Sequence, residues 1–343
     1  MRLAFLFSQD VAHEWRAYRA GDVPAHRLFG AAHVEELGHD LRDYSWPRRL
    51  PSFARHRLVW RLQLAARVLL EQRSLDAVVC TTETPSQALL VLKRLRLVRL
   101  PVLVLTVAAL APVNTKGWRR ILNGWLWRGA DVVYCYASAQ VPMFVDAFRV
   151  RPERVRFLPF GVDVDFFDNR VDGVAIGVPH VLAVGTNAGK DLPTLMVALP
   201  EGASCTVVSD PCNITAARAA GAPDRVVFRE AVPIRELREL YRSATHVVIP
   251  LKDASASSGQ TVLLENLVDG RSVLVSDVPG IRDYLDRTAA ITFPAGDIEA
   301  LRRLLMLPMP IPASEEAVEV ARARYDSRRV TRRLIADATA LNG

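Results

Sequence analysis

The sequence predicts an α/β chain made of two doubly wound domains in tandem. Three observations carry this. Short runs that are apolar throughout alternate with longer segments of helical period, the pattern of parallel strands covered on both faces by helices. The alternation runs to about residue 158 and restarts near residue 181. The 343 residues, half of them apolar, are enough for two domains of ordinary size, each with its own core.

In the first half the strands are expected at Leu3–Phe7, Ala77–Cys80, Val102–Thr106, Asp131–Cys135 and Val155–Leu158. Helical periods fall at Ala25–Leu37, Arg57–Gln72, Ser86–Leu97, Gly117–Arg128 and Gln140–Phe148, and Ser8–Pro24 reads as a long polar loop. Gly161–Pro179 lacks periodicity and reads as a linker. The second half offers strands at Val181–Val184, Cys205–Val208, Arg225–Phe228, His246–Ile249, Val273–Ser276 and Ala290–Phe293. Its helices are expected at Leu192–Ala198, Asn213–Ala220, Ile234–Ser243, Gln260–Val268, Ile298–Leu305 and Ser314–Ala340, the last broken near Arg324–Ser327. Two such domains would present their carboxyl-end crevices, where ligands bind in doubly wound sheets, to one cleft.

Composition and motifs exclude several classes. The apolar content excludes a disordered chain. No HExxH, no GxxxxGK[ST] and no GxGxxG after the first strand is present, which argues against zincins, P-loop enzymes and plain nicotinamide dehydrogenases. Cys80, Cys135, Cys205 and Cys212 lack metal-ligand spacing and read as reduced thiols of a cytoplasmic protein. The longest largely apolar run, Leu100–Val113, is too short to span a bilayer. The five-residue apolar run after Arg2 is too short for a signal peptide. The net charge of +7 is unevenly spread: residues 1–170 hold 25 basic and 16 acidic residues, residues 171–343 hold 19 and 21.

Two segments have the chemistry of an anion site. Ser257-Ser258-Gly259-Gln260-Thr261 opens a helix after the strand His246–Ile249, and no acidic residue lies between Ala254 and Leu264 to occupy the positive end of its dipole. The serines can cap that helix and Gly259 permits a close approach. Glu265 falls on the same helix face as Ser258, seven residues on, where its carboxylate could accept two ribose hydroxyls. The plain alternative is a capped helix with a solvent-facing Glu265. Gly185-Thr186-Asn187-Ala188-Gly189-Lys190-Asp191 forms the turn after Val181–Val184, with Lys190 near a helix N-terminus, where a cation is disfavoured unless an anion joins it. Its alternative is an exposed Lys190 paired with Asp191.

These segments, with Val155-Arg156-Phe157-Leu158-Pro159-Phe160-Gly161-Val162-Asp163 running to Phe167, Leu237 through Ala244, and Glu265 through Gly280, resemble the retaining, nucleotide-sugar-dependent GT-B glycosyltransferases of the family 4 type. Glu36-Leu37-Gly38-His39-Asp40-Leu41 adds a weaker match. The resemblance implies a GT-B fold of two Rossmann-like domains facing a cleft. Residues 1–165 would bind acceptor, 166–325 the nucleotide-sugar, and the helix at 326–343 would pack back on the first domain. It implies donor contacts from Gly185, Thr186, Asn187, Lys190, Ser257, Ser258, Gly259, Gln260, Thr261 and Glu265. Lys190 would hold the diphosphate and Glu265 the ribose, with a UDP-sugar as default donor and neither cofactor nor catalytic metal. Where the family often has a second Glu contacting the transferred sugar, this chain has Ser257. The arginine that often follows the loop glycine is Thr186, and no histidine stands near Val107–Ala108.

Candidate general acids, bases and acceptor contacts in the first half are Asp10, His13, Glu14 and Arg16 in the first loop and Glu83 after the second expected strand. Alternatives on the same fold are a nucleotide-sugar 2-epimerase and a degenerate, non-catalytic binding subunit. The acceptor would be a glycan, a lipid-linked glycan or a small natural product. Arg48, Arg49, Arg55, Arg57, Arg61 and Arg67 lie around Trp60, and Lys116, Arg119, Arg120 and Arg128 among Trp118, Trp125 and Trp127. Such stretches can rest on an anionic membrane or simply cover a domain, with tryptophans inside and arginines in water. Scattered basic residues without a reader motif argue against nucleic acid.

Overall fold

A computed structural model describes residues 1–45, 57–168, 179–252, 256–285, 289–307 and 312–342. The chain divides into two compact units, Met1–Gly161 together with Ser327–Gly343, and Val162–Asp326. Part of the expected linker (169–178) and of the basic cluster (Arg48, Arg49 and Arg55) lies outside the described residues.

The first unit is a six-stranded parallel sheet. In chain order its elements are β1 (Arg2–Leu6), α1 (Ala12–Arg19), β2 (Asp40–Tyr44), α2 (Arg57–Glu71), β3 (Ala77–Cys80), α3 (Glu83–Arg94), β4 (Val102–Thr106), α4 (Gly117–Trp127), β5 (Val132–Cys135), α5 (Gln140–Phe148) and β6 (Val155–Phe157). The strand order is β2-β1-β3-β4-β5-β6. β3, β4 and β5 are buried along their whole length, as apolar runs under helices on both faces must be. One face packs Trp60, Leu89, Leu90, Trp127, Phe144 and Phe148. The other packs Phe5, Phe7, Leu28, Tyr134, Leu334 and Ile335.

Three local expectations are corrected. The polar loop 8–24 contains a helix, α1, with Glu14 in its first turn and Arg16 and Arg19 in its last, as the helix dipole favours. The expected helix Ala25–Leu37 is two short 3₁₀ segments, Ala25–Leu28 and Ala31–His33. Phe29 and Gly30 both take left-handed backbone (φ 51° and 91°), which no α-helix continues through. The polar stretch Asp40–Tyr44 is a strand, pairing in parallel with β1 at the sheet edge.

The second unit holds β7 (His180–Val184), α6 (Leu192–Ala198), β8 (Ser204–Val208), α7 (Pro211–Ala219), β9 (Val226–Arg229), α8 (Ile234–Ser243), β10 (His246–Ile249), α9 (Gln260–Val268), β11 (Val273–Asp277), β12 (Ala290–Pro294), α10 (Ile298–Leu305) and α11 (Glu315–Tyr325). The sheet runs β12-β11-β10-β7-β8-β9, all parallel. That order reverses direction between β7 and β10, so the crevice beyond their carboxyl ends is the topological switch point where doubly wound sheets bind ligands. In the first unit the reversal lies between β1 and β3.

The last helix, α12 (Ser327–Ala340), belongs to the first unit. The break expected near 324–327 is there: α11 ends at Tyr325 and α12 begins at Ser327. The buried Ser327 hydroxyl lies 2.8 Å from His33 Nε2, and Glu36 joins His33 Nδ1 at 3.1 Å and Arg328 at 2.7 Å. Gly30 makes room for Thr331, since a Cβ there would stand 2.7 Å from its Oγ1. Cys80, Cys135 and Cys205 are buried free thiols, whereas Cys212 is exposed. No helix of the described residues is long and apolar enough to cross a membrane.

Candidate functional site

The loops after β7 and β10 meet at the switch point of the second unit. Lys190 and Leu251 form an antiparallel bridge. The Asp191 amide donates to Pro250 O at 2.9 Å, and the Lys252 amide to Gly189 O at 2.9 Å. Asn187 joins the loops by side chain: its Oδ1 accepts from Ser258 Oγ at 2.9 Å and from the Gly189 amide at 3.2 Å. Residues 185–191 and 258–265 therefore form one surface despite their distance in sequence.

Lys190 is only 3% exposed. Its aliphatic end lies across Gly185, where a Cβ would stand 1.9 Å from Cε. Gly185 itself has φ 148°, backbone that an L side chain rarely adopts. The ammonium has no carboxylate partner among the described residues, and burial pulls its pKa down to about 8. The expected alternative, a surface pair with Asp191, does not form. Asp191 caps α6 instead, accepting from the Thr194 amide and hydroxyl.

At α9 the serines do not cap the helix. The N-cap is Gly259 in left-handed backbone (φ 86°), with no side-chain cap. Ser258 is turned toward Asn187 by that geometry, and Gly259 is also required because a Cβ would press Ile249 at 2.7 Å. The positive end of the helix is left with neither cap nor acid in its first turn. Gln260 spends its side-chain Nε2 on Gly280 O (2.8 Å). Ser257 and Thr261 are half-buried and Thr186 is exposed.

Glu265 is 3% exposed and not solvent-facing. Its Oε2 accepts from the Tyr241 hydroxyl at 2.8 Å, and burial beside that carboxylate raises the tyrosine's pKa. Three supporting residues were missed in the sequence. Asn213 Nδ2 holds Asn187 O at 3.0 Å, Ser209 Oγ holds Gly185 O at 2.5 Å, and Lys252 Nζ reaches Ala188 O at 3.1 Å. Ser209 and Asn213 follow β8, the strand beside β7; their place next to a switch-point loop was the available signal.

In the first unit the acceptor candidates follow the two strands that flank the reversal. Asp10 lies just before α1 and accepts from the Ala12 amide at 2.9 Å. On that helix His13 is exposed, Glu14 meets Arg27 at 3.5 Å, and Arg16 Nε donates to Ala12 O at 3.3 Å. Glu83, at the start of α3, is engaged by backbone. Its Oε1 accepts from the amides of Val107 and Ala108 at 2.5 and 2.6 Å, anchoring the loop after β4.

Residues 180–306 match the family model described as Glycosyl transferases group 1. Nearly the whole chain shares its fold with HepE from Anabaena, solved with UDP and glucose (TM-score 0.67, 15% identity, 98% of this chain and 99% of that chain). The same holds for a sucrose-phosphate synthase from Thermosynechococcus elongatus (0.72, 14%, 99% of each). The lipopolysaccharide outer core galactosyltransferase WaaB gives 0.61 at 11% identity, over 98% of this chain and 99% of that one. No curated protein matches the chain by sequence. Fold and matched domain agree: the chain has the GT-B fold of two Rossmann-like units, and residues 180–306 of its second unit match the glycosyl transferases group 1 model.

Proposed function

We propose that the chain transfers a sugar from a nucleoside-diphosphate sugar, with UDP as the carrier, to an acceptor hydroxyl, with retention at the anomeric carbon. The observation that carries the donor half is the buried Lys190 ammonium, without a carboxylate partner among the described residues, beside the uncapped start of α9. A positive charge with no counter-ion among the described residues and a helix end without an acid both call for an anion, and a diphosphate supplies it. UDP is favoured because HepE is solved with UDP and glucose.

In this reading Lys190 and the amides of Gly259, Gln260 and Thr261 hold the diphosphate, and Ser258 and Asn187 fix the loops that carry them. Glu265, oriented by Tyr241, accepts the ribose hydroxyls. The acceptor hydroxyl attacks the anomeric carbon on the leaving-group face. Its proton passes to the departing diphosphate oxygen, so no dedicated protein base is required, and Lys190 and the amides stabilise the charge that develops there. Ser257, in place of a carboxylate, leaves the sugar pocket without one charged contact. Asp10, His13, Glu14 and Arg16 belong to the acceptor side. Glu83 serves that side by holding the 107–108 loop, a positioning role. The acceptor is a hydroxyl of a glycan, a lipid-linked glycan or a small natural product.

Lys190→Ala is expected to lower turnover of a UDP-sugar by about 10²–10³, measured as UDP release. Near wild-type turnover would sink the donor-site assignment. Anomeric configuration of the product by NMR tests retention.

A further inference from the structure

We propose that the α4 face of the first unit docks on a phospholipid bilayer bearing anionic headgroups. This goes beyond sugar transfer, and lipid binding can be read whether or not any sugar moves. The first half of α4 and the loop before it are not covered by the fold: Val113 in that loop and Trp118, Ile121 and Leu122 on the helix are 57, 68, 75 and 46% exposed. The later tryptophans of the helix behave otherwise. Trp127 is buried against Phe144, and Trp125 lies beneath the Arg94 guanidinium. The core therefore explains Trp125 and Trp127 but not Trp118.

Charge on α4 and the chain around it is one-signed. Between Glu83 and Asp131 the sequence has no Asp or Glu and eight Lys or Arg. Lys116, Arg119 and Arg120 sit at the start of α4, which has no acid in its first turn, where the helix dipole disfavours cations. Anionic phosphates would offset both. Between α4 and α5 an open groove of about 470 Å³ is lined by Arg120, Arg128 and Arg149 together with Ile121 and Phe148. The acid nearest in sequence on α5 is the exposed Asp146, whose backbone carbonyl accepts from Arg120. Arg119 lies over the Trp118 ring at 5.6 Å, and cations among exposed Trp, Ile and Leu are the chemistry of an interfacial helix: apolar side chains enter the headgroup boundary and cations meet phosphate. The positive charge commits the face to an anionic lipid surface.

The test is co-sedimentation of the full chain with vesicles of phosphatidylcholine alone and with added phosphatidylglycerol. Binding is expected only with the anionic lipid, with release as salt is raised. The double substitution Trp118→Ser with Ile121→Ser should lower the bound fraction at least about tenfold, and Lys116→Gln with Arg119→Gln should weaken binding in the same direction. Val227→Ser, an exposed apolar position in the second unit, should leave it unchanged. These side chains are exposed, so thermal melting of the variants should match wild type. Failure to bind anionic vesicles, equal binding to neutral ones, or full binding by the Trp118/Ile121 variant overturns the proposal. So does a concentration-dependent dimer that the same substitutions abolish, which would assign the face to a second copy of the chain.

Discussion

Burying the Lys190 ammonium without a carboxylate costs the unliganded protein stability. The fall from 10.5 to about 8 corresponds to something on the order of 3 kcal/mol. For a base whose folded pKa is depressed, that cost is present in full below pH 8. It is relieved as pH rises from about 8 to 10.5, where the unfolded chain binds more protons than the folded one. Lys190→Met should therefore be more stable than wild type at pH 7, by about 2–3 kcal/mol. The gap should close toward pH 10.5, as read by denaturant unfolding across pH. A diphosphate would reverse the shift, so UDP binding should take up protons near pH 8 and weaken above it. Calorimetry in buffers of different ionisation enthalpy measures that uptake. Gly185→Ala places a methyl group where Lys190 Cε lies, and should reduce UDP affinity at least about tenfold by displacing the ammonium. Lys190 and Glu265 were legible in the sequence, the first by its turn after a strand and the second by its helical spacing from Ser258. Their supports were not: Ser258 reaches Asn187 across 71 positions and Tyr241 reaches Glu265 across 24, and a contact made by topology has no local signature.

At the scale of elements, the strands visible in the sequence were those buried on both faces, because an unbroken apolar run is their direct imprint. β2 was invisible for the opposite reason. It lies at the edge, with Asp40, Arg42 and Asp43 exposed, and turns only Leu41 and Tyr44 toward the core. The helix expected at 25–37 shows the limit of periodicity: its apolar spacing is helical, yet Phe29 and Gly30 turn left-handed to admit Thr331 of α12. Gly30→Ala should destabilise the first unit by about 1–3 kcal/mol, through both the positive φ and the clash. Denaturant unfolding measures this, and an unchanged midpoint would show that α12 is not seated there.

At the scale of the whole molecule, the second unit would hold a diphosphate by two loops rather than by bulk charge, since Val162–Asp326 carries 16 basic and 23 acidic residues. Hydrogen exchange with UDP should slow amides at 185–191 and 258–265 and leave β1 to β6 unchanged; protection spread over both sheets would contradict a donor site confined to one unit. The path of the chain has a further consequence. It leaves the first unit at Gly161 and returns at Ser327, so the first unit is interrupted and the second is continuous. A ribosome would release every strand of the first sheet early, yet the apolar surface that receives Leu334, Ile335 and Ala338 would wait uncovered until the second unit had been made. During synthesis the second unit can finish folding first. The nascent first unit is thus the stage most exposed to aggregation, and the one a chaperone would be expected to hold.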